Sequence, residues 1–161
     1  MSSAFISLPP AGNPAPAAAP DSIDFDGFYP ALSLAQARAA MRIPTDITDT
    51  RLRDALAAAM LEIADDLAPW RAIQDAAGFA VLADCSDRVV AGEKRLVVLW
   101  HRAVHHLASA DLAEVQAGPD STAPGLDRAA QLVTTAADHR RNSRWAVRDM
   151  LGIPHTTIEL I

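Results

Sequence analysis

The run TDTRLRDALAAAMLEIADDL, Thr48 to Leu67, decides how the rest of the chain is read. Leu52, Leu56, Met60, Ile63 and Leu67 recur at steps of four, four, three and four, which places them on one apolar stripe of an α-helix. Thr48 is the expected N-cap, its hydroxyl accepting from a first-turn N–H that has no partner within the helix. Ile47 before it and Leu52 at the fourth helical position have the spacing of a hydrophobic staple. Asp49 and Asp54 put negative charge near the positive helix end, while Glu62, Asp65 and Asp66 form an acidic face off the stripe. One amphipathic helix cannot hide its own stripe, so the other segments must supply its cover.

Those segments follow in order. Residues 1–22 hold Pro9, Pro10, Pro14, Pro16 and Pro20 among Ala and Gly, a composition that favours extended backbone and offers little to bury. It reads either as a disordered terminus or as an arm that orders along a neighbouring subunit. Next, DSIDFDGFYP brings together Phe25, Phe28 and Tyr29, three of the chain's five Phe and Tyr residues, a cluster expected to dock on the domain or on a partner. Ser33 can cap a short helix over 34–42 that stops before Pro44. The organising helix spans about 49–68, Pro69 is predicted to break or kink it, and 70–77 continue as helix to Gly78. Residues 79–92 fit a loop with a short strand or a turn of helix.

A second long helix is predicted from Glu93 to Gln116, with Leu96, Trp100, Ala103, Leu107 and Ala110 in line and Val97, Val104 and Ala108 widening the face. The polar stretch AGPDSTAPG reads as a helix–helix connection. A third long helix follows over about 126–151, with Leu126, Ala130, Val133 and Ala137 on its early inner face and Gly152 and Pro154 as stop signals. The final HTTIELI favours a strand, and with no evident partner strand in the chain it is expected to pair with another molecule. The fold class is thus mainly α: a small antiparallel bundle of three long helices plus short ones. It divides into a Pro/Ala-rich arm (1–24), a helical domain (25–152) and an extended tail (153–161).

Composition bounds function. At 161 residues, half apolar but only 5% aromatic, the chain has a thin alanine-rich core that leaves further burial to a neighbour. A formal charge of −6 argues against nucleic-acid binding by the protein alone, since phosphate contacts rely on Lys and Arg. A single cysteine, Cys85, excludes an internal disulfide framework and a cysteine-rich zinc site, and its acidic neighbours Asp84 and Asp87 disfavour the thiolate. No apolar run approaches the roughly 18–20 residues that span a bilayer, and MSSAFISLPP lacks the pattern of a secretory signal. A soluble protein made in the cytoplasm, with no membrane partner, is expected.

His101 and His105 stand one helical turn apart, but Arg102 occupies the position where a zinc-protease helix needs glutamate, so a surface or interface pair is the better account. No Gly-rich phosphate loop, nucleophile elbow or catalytic acid pair appears, so neither an enzyme nor a cofactor is expected. The one basic concentration is HRRNSRWAVR, where Arg140, Arg144 and Arg148 recur at steps of four beside Arg141 and Trp145. Three readings compete: pairing with acidic surface on an adjacent subunit, a solvated helix face, and nucleic-acid contact.

Taken together, FDGFYPALSLAQARAAMRI, TRLRDALAAAMLEIADDLAPWR, AAGFAVLAD and RWAVRDMLGIPHTTIELI, in that order over roughly residues 25–161, resemble the GpL-type head completion (head stabilisation) proteins of tailed bacteriophages. The resemblance implies a virion protein of the neck, made in the host cytoplasm and without catalytic chemistry. It would assemble on the portal protein after DNA packaging as a ring following the portal's twelvefold symmetry. That ring would seal the head and present a platform to a tail-side neck or tail terminator protein. Packaged DNA would pass without specific binding, its phosphates repelled by a repeated acidic subunit. On this view the subunit and portal contacts fall to Phe25, Phe28 and Tyr29, to Arg140, Arg144 and Arg148, and to the tail residues Thr156, Thr157, Ile158, Glu159, Leu160 and Ile161. The rival reading is a small helical regulatory or nucleic-acid-binding protein that uses the Arg140–Arg148 face.

Overall fold

α-Helices build almost all of the fold. The computed structural model describes residues 21–116 and 123–154, with 123–133 as backbone alone. Strands β1 (Ser22–Ile23) and β2 (Leu32–Ser33) form an antiparallel pair, followed by helices α1 (Leu34–Met41) and α2 (Asp49–Ala76). A 3-10 turn (Leu82–Cys85) leads into the hairpin β3 (Val89–Val90) and β4 (Glu93–Lys94), then α3 (Arg95–Gln116) and α4 (Ala123–Leu151).

The expected caps form. Ser33 Oγ accepts from the Gln36 N–H at 3.2 Å and Thr48 Oγ1 from the Arg51 N–H at 3.3 Å. Ile47 and Leu52 are both buried in the main cluster, as the staple requires. Helices α1, α2 and α4 end alike: the N–H of Ile43, Phe79 or Ile153 returns to the carbonyl five residues earlier, with Arg42, Gly78 or Gly152 at positive φ before it.

The predicted break at Pro69 does not occur, and α2 runs through it. Proline removes the bond to the carbonyl of Asp65, but both residues are exposed, which leaves that oxygen on the solvent side of the helix. Two boundaries also move. Glu93 and Lys94 are taken up by the hairpin, so α3 starts at Arg95; α4 starts at Ala123, so Pro124 and Gly125 lie in its first turn. A proline there lacks only an N–H that the first turn leaves unpaired.

α3 is the central helix, with twelve of its 22 residues buried. Leu96, Trp100, Ala103, Leu107 and Ala110 all face inward, as predicted. α2 and α4 run antiparallel to it and parallel to each other. Ser143 Oγ donates to the Ala103 carbonyl at 2.9 Å, and the Arg95 guanidinium donates to the Asp149 carbonyl at 2.9 Å, joining the start of α3 to the end of α4. The inner face of α4 is Ala136, Ser143, Ala146, Val147 and Met150. Ala137, predicted to face inward, is exposed; in an alanine-rich helix a one-residue error in phase changes no side chain. Near the far end, Ala110, Ala113 and Ala136 make a second small cluster where the two helices approach closely.

Candidate assembly surfaces

The aromatic segment before α1 packs onto the domain. Phe28 and Tyr29 are buried, and Phe25 alone of the three is 38% exposed. Tyr29 stacks on Trp100 of α3 at 4.1 Å between centroids, and Phe28 meets Tyr29 edge-on at 5.0 Å. Gly27 at φ 82 turns the chain so that the Asp26 carboxylate accepts from the Phe28 N–H at 3.1 Å and the Tyr29 N–H at 3.4 Å. Arg71, from the part of α2 beyond Pro69, lies 4.6 Å over the Phe28 ring and pairs with Asp26 and with Asp75. Burial pushes the Tyr29 phenol up to about 12. Asp26 is held below the usual carboxylate range: burial opposes this, but the Arg71 guanidinium and two backbone N–H donors outweigh it. Of the candidate aromatic contacts, then, Phe28 and Tyr29 are filled from within the chain, which leaves Phe25 open to another.

The α4 arginines, alike in sequence, have different surroundings. Arg140 makes a fork to Glu114 and reaches Asp111 at 3.3 Å, both on α3. That pairing drives Arg140 above its ordinary value and Glu114 below its own. Arg141 pairs with Asp138 at 3.0 Å and covers the Trp145 ring at 5.2 Å. Arg148 donates to the Pro154 carbonyl at 2.8 Å, closing the C-terminal turn of its own helix. Arg144 is exposed and lines a shallow groove of about 90 Å³ between α2 and α4, opposite Glu62 and Asp66 and over Ile63, Leu107 and Val147. Among the described arginines of this face, Arg144 is the one most open to an outside partner. Thr156, Thr157, Ile158, Glu159, Leu160 and Ile161 lie outside the described residues, as does the Pro/Ala-rich arm up to residue 20.

Four histidines line up along α3 and its contact with α4. His101 and His105 stack at 5.9 Å, and His106 Nδ1 lies 2.8 Å from His139 Nδ1. One ring of that pair must carry its hydrogen on Nδ1 and the other must accept there, an arrangement that double protonation destroys. Burial lowers all four, His105 and His106 to about 4. Sequence reading paired His101 with His105 but missed His139, whose partner is 33 residues away. Among the described residues no group of three or more potential metal ligands comes together. Cys85 donates to the Val81 carbonyl at 3.6 Å, and burial first, Asp84 second, pushes its thiol up.

The sequence also hid an apolar end. The last turn of α2, the hairpin, the start of α3 and the end of α4 converge there, and Phe25, Ile73, Phe79, Val89, Val90 and Ile153 are all exposed. The available signal was Ala91-Gly92 between paired valines and a Glu-Lys pair, a two-residue hairpin loop.

Comparison with known proteins bears on these surfaces. The family model described as phage head completion protein (GPL) matches residues 23–161. A head completion/stabilization protein of Escherichia phage P2 is 33% identical over 134 residues, which span 83% of this chain and 79% of that protein. No solved structure matches the chain.

Proposed function

The chain belongs to the phage head completion protein (GPL) family, and we propose that it completes the head by assembling as a ring on the portal after DNA packaging. The ring follows the portal's twelvefold symmetry, retains the packaged DNA and offers the tail-side neck protein a platform. The single observation that carries this reading is the family match over 23–161, which spans the whole described domain. Its place is the virion neck; the subunit is made in the host cytoplasm and its role is architectural rather than catalytic. Each part of the chain has a share: the helical domain (25–152) is the building block, and the tail (153–161) and the arm (1–24), whose Ser22–Ile23 strand is already held by the subunit's own β2, reach to neighbours. Phe25, Arg144 and the tail residues are the contacts to other chains, since the partners of Phe28, Tyr29, Arg140 and Arg148 lie within the subunit.

DNA passes through such a ring without specific binding. Three of the four arginines between 140 and 148 are engaged within the chain, which leaves this face few free cations for a phosphate-tracking surface. Deleting the gene from its phage and imaging the lysate tests the whole reading. Separate tails beside heads that have lost their DNA are expected. Complete tailed particles would overturn it.

A further inference from the structure

We propose that the β3–β4 hairpin is the docking edge for the C-terminal segment, residues 156–161, of a second copy of this chain; the inference rests on the ring reading above. Within the described residues each strand of this hairpin pairs on one side only, so each keeps an open edge. Val89 and Val90 are 57% and 51% exposed. Successive residues of a strand point to opposite faces, so an added strand meets an uncovered valine on either side of the sheet. An exposed edge of this kind takes an extended segment by main-chain hydrogen bonds, with alternate side chains choosing the partner.

The tail has matching chemistry. Thr156, Thr157 and Ile158 are β-branched, and Glu159 is the one acidic side chain among these six residues, opposite in charge to Arg88 beside β3 and Lys94 in β4. Six residues of strand reach about 20 Å, more than enough to cover a two-residue strand of the hairpin. Pro154 has no N–H for a ladder, so pairing starts beyond it.

Placement brings a second copy within reach. Arg95, next to β4, holds the Asp149 carbonyl at the end of α4, so the last described residues of the chain lie at the hairpin end of the bundle. In a ring with cyclic symmetry, equivalent atoms of all copies stand at the same height along the axis. A tail that leaves at the height of its own hairpin therefore meets the neighbour's hairpin at that same height.

The test uses phage particles carrying the full-length protein with Cys85→Ser, Val90→Cys on the hairpin and a tail cysteine at Thr157, Ile158 or Glu159 in turn. After mild oxidation, a non-reducing gel is expected to show dimers and a ladder above them for at least one tail position. Disulfides confined to single subunits would overturn the proposal, because the tail would then seat on its own hairpin. Protein present in particles but uncrosslinked at all three positions would also overturn it. A second variant guards against assembly failure: Val89→Lys with Val90→Lys changes only exposed side chains, so the helical circular dichroism should be retained. It is expected to lower incorporation into particles at least tenfold, as is truncation after Pro154; normal incorporation would sink the proposal. Wild-type protein missing from purified particles would remove the ring reading, and this inference with it.

Discussion

At the scale of single residues, the buried His105 and the half-buried His101, His106 and His139 set how the subunit responds to acid. His105 and His106 titrate near 4 in the folded chain, and His101 and His139 are lowered too, because burial penalises their charged forms. The unfolded chain takes up these protons near 6.5, so it binds more of them than the native state between the two values. Stability is therefore full above about 6.5 and falls as the pH drops towards 4. Urea unfolding at pH 7.5, 6 and 5 should show the midpoint falling through that window, and His106→Asn should flatten the slope. The lowered carboxylates of Asp21, Asp26 and Glu114 lose their contribution only further down, below their usual values of 3.8 and 4.5. Ala91 presents a different single-residue effect. It sits at φ 52 and Gly92 at φ 84, the pair of left-handed positions that a two-residue hairpin turn demands. Alanine is poor there and asparagine good, so Ala91→Asn should raise stability by about 1 kcal/mol in denaturant titration.

At the scale of elements, Pro69 has a measurable cost. It stands inside α2 on the exposed side, where it removes one helical hydrogen bond. Pro69→Ala should raise the unfolding free energy by about 1–3 kcal/mol, read from chemical denaturation. The continuation that Pro69 fails to stop carries Arg71 to the aromatic cluster, so the helix is longer than its stop signal and its last turns are needed. The long helices were legible because their apolar stripes recur at helical period, and the caps because Ser33 and Thr48 stand just ahead of them. The hairpin was not, since two-residue strands are too short to display alternation. The phase of α4 was missed because alanines at 136 and 137 look alike to any periodicity. The arginine face was legible as a row but not as a set of roles. The acids that occupy Arg140 lie 26 and 29 residues earlier on α3, a proximity that only the antiparallel packing creates. The histidine pair escaped for the same reason.

At the scale of the whole molecule, a net charge of −6 and an arginine face whose guanidinium groups largely pair within the chain weigh against DNA binding. Fluorescence anisotropy with labelled duplex should show no binding at physiological salt, and Arg144→Glu should change nothing in that assay; salt-dependent binding lost on that substitution would favour the regulatory reading instead. The stack of Tyr29 on Trp100 has a consequence in time. The two residues lie far apart along the chain, at positions 29 and 100, yet their rings stack and both are buried. On the ribosome Tyr29 emerges long before the helix that covers it, so the opening segment cannot settle until α3 has been made and has left the exit tunnel. Closure of this long loop is a slow class of event, and it comes after α2 has had time to form alone. The indole of Trp100, on which that segment stacks, is thus a built-in reporter of the last stage of maturation of each subunit.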